Sequence, residues 1–277
     1  MKSMSDFWSM NEGTFACLHD KKRTLAFRKA IRNTIKKDDI VVELGAGSGI
    51  LSMFAADAGA KRVYAVELDQ GNIISLKQTI KENGYEKIIE IINADATTIN
   101  FPEKPDVVIC EMIATALIEE LQVPAMCNAR RFFKKTTKVL IEKYDIYAEL
   151  VNAKSNFYNK KFNITRFELP EMRDMKSHIL SNTVLIDTID MMSVKINKKI
   201  DTILSFTPNK SATANALRLH GKTFFSSGDI FESSTSYDFP IIIPIKEIAV
   251  KENNEISFKL SYTLCGGPKS IKITRLS

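Results

Sequence analysis

The fold is decided by the stretch Val41-Val42-Glu43-Leu44-Gly45-Ala46-Gly47-Ser48-Gly49-Ile50-Leu51. An apolar run leads into a glycine-rich turn, and a helical pattern follows that turn directly. Glycines at three alternate positions let the backbone adopt positive φ and come close to a ligand. A turn between a strand and the N-terminus of a helix commonly holds a nucleotide-like ligand. The turn alone also fits a tight connection without a ligand, because its spacing matches neither the dinucleotide-binding motif nor the phosphate loop.

The next apolar run decides between these two interpretations. Residues 61–66 predict a second strand, and Glu67 stands at its end. A carboxylate in that position can accept both hydroxyl groups of a ribose. A single loop acid is common, but its combination with the glycine turn is much rarer by chance. Together the two features resemble the class I S-adenosylmethionine (SAM) methyltransferase fold.

The composition is that of an ordinary soluble globular protein. Hydrophobic residues make up 44% and charged residues 26% of the 277 residues, and the net charge is +6. No apolar run is long enough to span a membrane, and the first residues do not resemble a signal peptide. The four cysteines are scattered without a zinc spacing, so we expect free thiols and a cytoplasmic location. The three histidines are far apart in sequence, so we expect no metal site.

Residues 5–37 have a helical pattern with an apolar face. Asp20 precedes the central part of this pattern and can cap a helix. Arg23 follows in the first turn, where a cation is unfavourable for the helix dipole. Its guanidinium could bind the carboxylate of a ligand in a bidentate manner. This segment is rich in Lys and Arg, however, and its composition alone favours a surface position for Arg23.

Residues 40–150 alternate apolar runs with helical patterns, which predicts a parallel sheet covered on both faces. The predicted strands are 40–44, 62–67, 88–93, 106–110 and 138–147, and the predicted helices are 49–58, 70–83 and 114–133. Ligands bind beyond the C-terminal strand ends of such sheets, where Glu43, Glu67 and Asp95 lie. Asp95, with Ala96 beside it, is placed to accept the amino group of an adenine. Asp95 fits equally well as an acid that caps a turn.

Residues 151–277 differ in pattern, because helical periodicity fades and short strand-like runs recur. The predicted strands are 183–189, 203–206, 214–220, 241–245, 255–262 and 270–274, with a short helix around 171–178. This pattern predicts an antiparallel, barrel-like β domain. The predicted organisation is therefore a helical segment over the cofactor (1–37), a Rossmann-like SAM-binding domain (38–150) and a β domain for the substrate (151–277).

Two acids follow the fourth predicted strand. Glu111 ends that strand, and Glu120 comes nine residues later. If the segment between them is a loop, the two carboxylates can face one substrate group. Such a pair would hold a guanidinium by charge-assisted hydrogen bonds and aim a nitrogen at a methyl donor. Alternatively, Glu119 and Glu120 are exposed acids of a helix that Glu111 caps, and the sequence does not decide whether Glu119 or Glu120 faces a substrate.

The chain resembles the protein arginine methyltransferase family in two motifs. They are Leu18-His19-Asp20-Lys21-Lys22-Arg23-Thr24-Leu25-Ala26-Phe27-Arg28, which is similar to the family's M-L-x-D-x-x-R-T helix, and the stretch from Gly45 to Glu67. The resemblance implies that Arg23 contacts the SAM carboxylate and that Glu111 and Glu120 are the family's paired glutamates. It also implies that Phe7-Trp8 begins a helix over the cofactor and that an arm, here residues 154–180, supports a homodimer. The expected SAM-binding residues are Arg23, Glu43, Gly45, Gly47, Glu67, Asp95 and Ala96, with S-adenosylhomocysteine as the product.

Two segments depart from the family pattern. The family has Trp-Met-Gly-Tyr after the first paired glutamate, whereas this chain has Met112-Ile113-Ala114-Thr115. The family's Thr-His-Trp motif corresponds to Ser234-Thr235-Ser236-Tyr237-Asp238-Phe239-Pro240, which has neither histidine nor tryptophan. The expected function is methyl transfer to a nitrogen, the guanidino group of arginine in a protein or peptide, and the alternative is a small-molecule or non-arginine acceptor. A nucleic-acid acceptor is disfavoured, because no Asn/Asp-Pro-Pro-aromatic motif follows the fourth strand.

Overall fold

The computed structural model describes residues 12–276 of the chain. Phe7 and Trp8, which were expected to begin a helix over the cofactor, lie outside these residues. The helices are α1 (Glu12–His19), α2 (Lys21–Thr34), α3 (Ile50–Asp57), α4 (Gln70–Glu82) and α5 (Gln122–Ala129). The strands are β1 (Ile40–Leu44), β2 (Arg62–Glu67), β3 (Ile89–Asn93), β4 (Val107–Cys110), β5 (Lys138–Val139), β6 (Ile141–Asn152), β7 (Asn156–Phe157), β8 (Lys160–Lys161), β9 (Arg166–Phe167), β10 (His178–Ile179), β11 (Val184–Asp190), β12 (Lys199–Phe206), β13 (Ala212–Phe225), β14 (Ile230–Phe231), β15 (Ile241–Val250), β16 (Ile256–Thr263) and β17 (Lys272–Arg275).

A five-stranded parallel sheet has the strand order β3-β2-β1-β4-β5. Strand β1 pairs with β2 on one side and with β4 on the other, and every residue of β1 and β4 is buried. Apolar strands of this kind belong to parallel sheets that are covered on both faces. The strand order reverses between β1 and β4, and ligands bind beyond the carboxyl ends of the strands at such a reversal. The predicted Rossmann-like architecture is confirmed.

Helix α2 carries Arg23 into the interior of the protein. The Asp20 Oδ1 atom accepts a hydrogen bond from the backbone N–H of Arg23 at 3.0 Å, so Asp20 caps the helix as expected. The buried face of α2 includes Phe27, whose ring packs edge-on against Phe225 at a centroid distance of 5.0 Å. The region predicted as helical thus contains two described helices, and the second ends at Thr34.

The C-terminal strands form antiparallel sheets, as predicted. The main sheet has the order β10-β6-β13-β15-β9, with β11 added to β6 and β14 added to β13. A second sheet has the order β12-β16-β17, and β7 pairs with β8. The strand predicted at 138–147 is interrupted at Leu140, because β5 pairs with β4 whereas β6 belongs to the antiparallel sheet. The barrel-like arrangement and the domain boundaries stay predictions.

The prediction of a single helix at 114–133 is wrong. The structure has a 3₁₀ turn at Thr115–Leu117, an irregular segment, and only then α5, followed by a 3₁₀ turn at Arg130–Phe132. Ala116, Leu117 and Ile118 are buried, but they pack as part of a loop beneath the C-terminal strands. A short apolar run of this kind does not distinguish a helix from a buried loop. The helix around 171–178 is likewise reduced to a 3₁₀ turn at Arg173–Met175.

Three further observations concern the described part of the chain. None of its helices combines the length and the apolar character that crossing a membrane requires. Among residues 12–276, no group of three or more His, Cys, Asp or Glu side chains is arranged to hold a metal ion. The four cysteines, Cys17, Cys110, Cys127 and Cys265, are free thiols.

Candidate active site

A cavity of about 480 Å³ lies beyond the C-terminal ends of β1 and β4. Its volume is in the range of roughly 300–1,000 Å³ that small-molecule sites occupy. The walls come from α1, from the glycine turn after β1, from the loop after β4 and from residues 235–239. Of the predicted site residues, those that line the cavity are Arg23, Glu43, Gly45, Gly47, Glu111 and Glu120.

The glycine turn is fixed against the end of β2. The backbone N–H groups of Gly45 and Ala46 both donate to the carbonyl oxygen of Val66, at 3.0 and 2.9 Å. Gly49 ends the turn with a φ of 78°, and a Cβ atom there would lie 2.3 Å from Leu76 Cδ1. Only glycine fits this position without strain and without displacing Leu76 of α4.

Glu67 borders the cavity without lining it. Its Oε2 atom accepts the backbone N–H of Gly47 at 2.8 Å, and its Oε1 atom accepts those of Leu68 and Asp69 at 2.9 and 2.8 Å. These three hydrogen bonds hold the carboxylate beside the glycine turn. The structure therefore brings Glu67 to the turn, as the strand pattern predicted.

Asp95 and Ala96 are not among the residues that line the cavity. Asp95 Oδ1 accepts the backbone N–H and the hydroxyl of Thr97, at 2.8 and 2.7 Å, so the acid caps its own turn. The carbonyl oxygen of Ala96 accepts the Asn128 side-chain amide at 3.1 Å. The alternative interpretation of Asp95 as a turn cap thus describes its contacts in this structure, and its predicted role toward an adenine stays a prediction.

Arg23 of α2 is 4% exposed and lines the cavity. Its Nη2 atom donates to the Glu111 carboxylate, and its guanidinium carbon lies 5.0 Å from the centre of the Phe27 ring. The Nε atom is buried and has no hydrogen-bond partner within the described residues. An unpaired buried donor is costly, and a ligand carboxylate in the cavity would satisfy it. The site residues therefore fit a ligand with an amino-acid end, such as SAM.

Glu43 lies on β1 and is 2% exposed. The Ser52 hydroxyl donates to its Oε2 atom. Burial raises the pKa of Glu43 to about 8, although the Ser52 hydrogen bond and the charge of Arg23 act in the opposite direction. The carboxyl group is therefore mostly protonated at neutral pH and offers a hydrogen-bond donor at the cavity wall.

Glu111 is held from two directions. Arg23 pairs with its Oε2 atom, and the side chain of Gln122 fixes the backbone on either side of it. Gln122 is fully buried, donates to the carbonyl oxygen of Cys110 at 2.9 Å, and accepts the N–H of Met112 at 2.9 Å. Glu111 therefore has a fixed position at the end of β4.

Glu120 lines the same cavity, whereas Glu119 does not. Among residues 12–276, the Glu120 carboxylate forms no hydrogen bond and no ion pair. Glu120 is an exposed residue, yet the protein packed around its carboxyl group and the nearby carboxylates of Glu111 and Glu119 raise its pKa to about 7. The cavity thus contains an unpaired acid that a cation would stabilise in its ionised form.

Sequence analysis did not identify several residues of the cavity wall as site residues. They include Cys17 of α1 and Ser236, Tyr237 and Phe239 from the segment before β15. The Ser236 N–H and hydroxyl donate to Asp20 Oδ2 at 2.9 and 3.0 Å, which fixes this segment against the start of α2. The segment could be found only through its correspondence with the Thr-His-Trp motif, and no sequence signal pointed to Cys17.

Two known protein sequences align with nearly the full length of the chain. A protein of Methanocaldococcus jannaschii, described as uncharacterized, is 34% identical over 265 residues, which is 94% of this chain and 95% of that protein. An uncharacterized protein of Methanothermobacter thermautotrophicus is 31% identical over 255 residues, with 92% and 94% covered. The chain belongs to one family with these two proteins.

Proteins of described activity match parts of the chain. The family model described as ribosomal protein L11 methyltransferase (PrmA) matches residues 22–130, which include β1 to β4 and the glycine turn. The chain is a class I SAM-dependent methyltransferase. Protein arginine N-methyltransferase 2 of Dictyostelium discoideum is 29% identical over 228 residues, and protein arginine N-methyltransferase 1 of Oryza sativa is 32% identical over 190 residues. The methyltransferase spans 43% and 47% of the length of these two relatives.

Two solved structures share the fold of the methyltransferase. The enzyme–prozyme heterotetramer of Trypanosoma brucei protein arginine methyltransferase 1 with S-adenosylhomocysteine has a TM-score of 0.76 at 20% identity, covering 95% of this chain and 97% of that chain. Arabidopsis thaliana protein arginine methyltransferase 10 has a TM-score of 0.77 at 16% identity, with 98% of each chain covered. The likeness extends over both the parallel sheet and the C-terminal antiparallel sheets.

Proposed function

We propose that the methyltransferase transfers a methyl group from SAM to a guanidino nitrogen of arginine in a protein or peptide. The observation that carries this proposal is the unpaired Glu120 carboxylate in the same cavity as Glu111 and the glycine turn. Two acids beside one guanidinium give charge-assisted hydrogen bonds on two sides of a planar cation. The resemblance to arginine methyltransferases supports the same acceptor.

The SAM end of the cavity is assigned to residues that hold the amino acid and the nucleoside. They are Arg23, Glu43, Gly45 and Gly47, which line the cavity, and Glu67, Asp95 and Ala96, which do not line it. Arg23 would bind the carboxylate through its unpaired Nε atom, and Glu67 would accept ribose hydroxyls beside the turn. SAM supplies an electrophilic methyl group on a sulfonium, and the protein supplies alignment.

Alignment is the main catalytic contribution that this site offers. Glu111, fixed by Arg23 and Gln122, would set the position of one guanidinium edge. Glu120 would hold a second edge and keep the reacting nitrogen directed at the donor. Holding two reactants in a near-attack geometry supplies a large part of a rate enhancement without any covalent intermediate.

The test compares three variants in which a glutamate is replaced by glutamine. Glu120→Gln and Glu111→Gln should each lower kcat on an arginine-containing peptide by about 100-fold or more, because a misplaced acceptor loses that much. Calorimetric SAM affinity should stay near that of the unmodified protein for both variants. Glu119→Gln is the matched control, since Glu119 is exposed and outside the cavity, and its kcat should be unchanged. Equal losses of kcat in Glu119→Gln and Glu120→Gln would contradict the assignment of Glu120 as the acid that faces the acceptor.

A second acceptor class is favoured by one observation. Where the arginine methyltransferase family has Thr-His-Trp, this cavity is closed by Ser236 and its neighbours, and Ser236 contacts Asp20. The acceptor pocket therefore has its own shape, which would suit a small molecule or a different side chain. Labelled SAM incubated with cell extract, followed by separation into protein, nucleic-acid and small-molecule fractions, distinguishes these classes. Label confined to small molecules would refute the arginine proposal.

We also propose that the methyltransferase acts in the cytoplasm as a homodimer. Its segment 154–180 exposes apolar side chains, including Tyr158 at 96% and Ile164 at 60% exposure. Exposed apolar groups on one segment are typical of an interaction surface. Light scattering after size exclusion should give twice the chain mass, and a monomer at micromolar concentration would contradict the dimer.

A further inference from the structure

The loop between Glu111 and Glu120 has an unfavourable backbone. Ala116, Leu117 and Glu120 have φ values of 56°, 50° and 49°, in the left-handed region. Residues with a Cβ atom adopt this region at a cost of roughly 1 kcal/mol or more each. Such a conformation persists only where surrounding contacts hold it. The contacts that hold this loop therefore determine where Glu120 lies.

Those contacts come from the C-terminal strands. The N–H of Ala116 donates to the Tyr144 hydroxyl at 3.2 Å, and the carbonyl oxygen of Ala116 accepts the Tyr262 hydroxyl at 3.0 Å. One left-handed residue is thus held at both of its backbone polar groups by two tyrosines. The carbonyl oxygens of Leu117 and Ile118 accept the N–H groups of Cys265 and Gly267, at 2.7 and 2.8 Å.

The Tyr144 hydroxyl has a defined direction. It donates to Asp238 Oδ1 at 2.6 Å, so its oxygen is left to accept the N–H of Ala116. Gly221 on β13 makes room for it, since a Cβ atom there would lie 2.0 Å from the Tyr144 hydroxyl oxygen. Tyr144 is fully buried and Tyr262 is 2% exposed, so neither exchanges these partners with water.

We propose that Tyr144 and Tyr262 are positioning residues that set the acceptor end of the active site by fixing Ala116, four residues before Glu120. This rests on the proposed function of Glu120 and adds the groups that place it. Tyr144 and Tyr262 touch neither Glu111 nor the glycine turn through hydrogen bonds. Their loss should therefore affect the acceptor and leave SAM binding intact.

The experiment uses Tyr144→Phe and Tyr262→Phe, with Tyr85→Phe as the matched control. Tyr85 also loses a hydroxyl hydrogen bond in this change, to Asp57 of α3. Tyr144→Phe also removes one of the hydrogen-bond donors of the buried Asp238, so Tyr262→Phe serves as the variant that keeps the fold if the first does not. Each protein is assayed for hydrogen exchange of residues 112–121, for SAM affinity, and for kcat, KM and the pH profile on an arginine peptide.

We expect both phenylalanine variants to exchange residues 112–121 faster and to lower kcat/KM for the peptide by about tenfold, the worth of one good hydrogen bond. The pH midpoint of kcat/KM should move, because Glu120 leaves its present surroundings, and SAM affinity should stay within about twofold. Unchanged exchange and an unchanged pH midpoint in Tyr262→Phe would overturn the proposal. Hydrogen exchange needs no acceptor, so faster exchange in a protein that ignores arginine peptides would instead refute the proposed function alone.

Discussion

Arg23 donates to Glu111 through Nη2, while its buried Nε atom has no partner in the described residues. We expect Arg23→Ala to weaken SAM binding by about 2–3 kcal/mol, which is the value of a buried charge-assisted pair. This corresponds to a loss of about 30- to 150-fold in affinity, measurable by calorimetry. Arg28→Ala is the control, because Arg28 lies on the exposed face of the same helix, over the Phe54 ring. Equal affinities for the two variants would remove Arg23 from the site.

The role proposed for Glu120 predicts that the activity depends on pH near neutrality. Although the residue is exposed, the protein packed around its carboxyl group and the charges of Glu111 and Glu119 raise its pKa to about 7, so Glu120 is half ionised near that pH. A guanidinium is held by the ionised form, so kcat/KM for an arginine peptide should rise about tenfold per pH unit below the midpoint and level off above about pH 8. A rate profile measured from pH 5.5 to 9 checks this. A profile that falls over this range would show that Glu120 acts as an acid.

Gln122 joins the end of β4 to the start of α5 through two hydrogen bonds of its buried side chain. Gln122→Ala leaves the Cys110 carbonyl and the Met112 N–H without these partners, and should lower the free energy of unfolding by about 1–3 kcal/mol. It should also lower kcat, because Glu111 lies between these two residues. Chemical denaturation and a methylation assay measure the two effects. An unchanged free energy of unfolding would contradict the role given to Gln122. A lower free energy of unfolding with full methylation activity would contradict it as well. The exposed Gln78→Ala, on α4, is the control.

The elements of the parallel sheet could be predicted because their signals are local. Strands β1 and β2 are mostly apolar, the glycine turn follows β1 directly, and Glu67 is the last residue of β2. The loop after β4 could not be predicted, because its conformation depends on residues that are distant in sequence. Ala116 is 28 positions from Tyr144 and 146 positions from Tyr262. The prediction of a helix at 114–133 failed for this reason. The residues alone left open whether Glu111 and Glu120 face one cavity, and the family resemblance implied that they do.

Asp20 connects the N-terminal helices to the C-terminal strands. It caps α2 and accepts two hydrogen bonds from Ser236, and these bonds lower its pKa to about 2 although burial acts in the opposite direction. Because the folded pKa is below the ordinary 3.8, the stabilisation is complete above pH 4 and is lost as the pH falls toward 2. Asp20→Asn can keep the capping oxygen but puts an amide donor where Oδ2 accepts from Ser236, so it should lower the unfolding free energy by about 1–2 kcal/mol at pH 7 and flatten this acid dependence.

Denaturation curves at pH 7, 4 and 2.5 measure this effect. Ser236→Ala removes only the hydroxyl donor and should cost less than Asp20→Asn, while the acid dependence is kept in part. If both variants keep the full loss of stability below pH 4, the contact between Asp20 and Ser236 does not join the two parts of the protein.

Two groups of residues, from different parts of the sequence, hold the two sides of the candidate active site. The proposed SAM-binding side is formed by β1, β2 and their turn, whereas the loop on the proposed acceptor side is held by Tyr144, Tyr262 and the backbone of residues 265–267. Mutations that accumulate in the C-terminal strands can thus alter which molecule is modified while the methyl source is retained. A lineage with this architecture can acquire new acceptors by gradual change, without passing through an ancestor that has lost its donor.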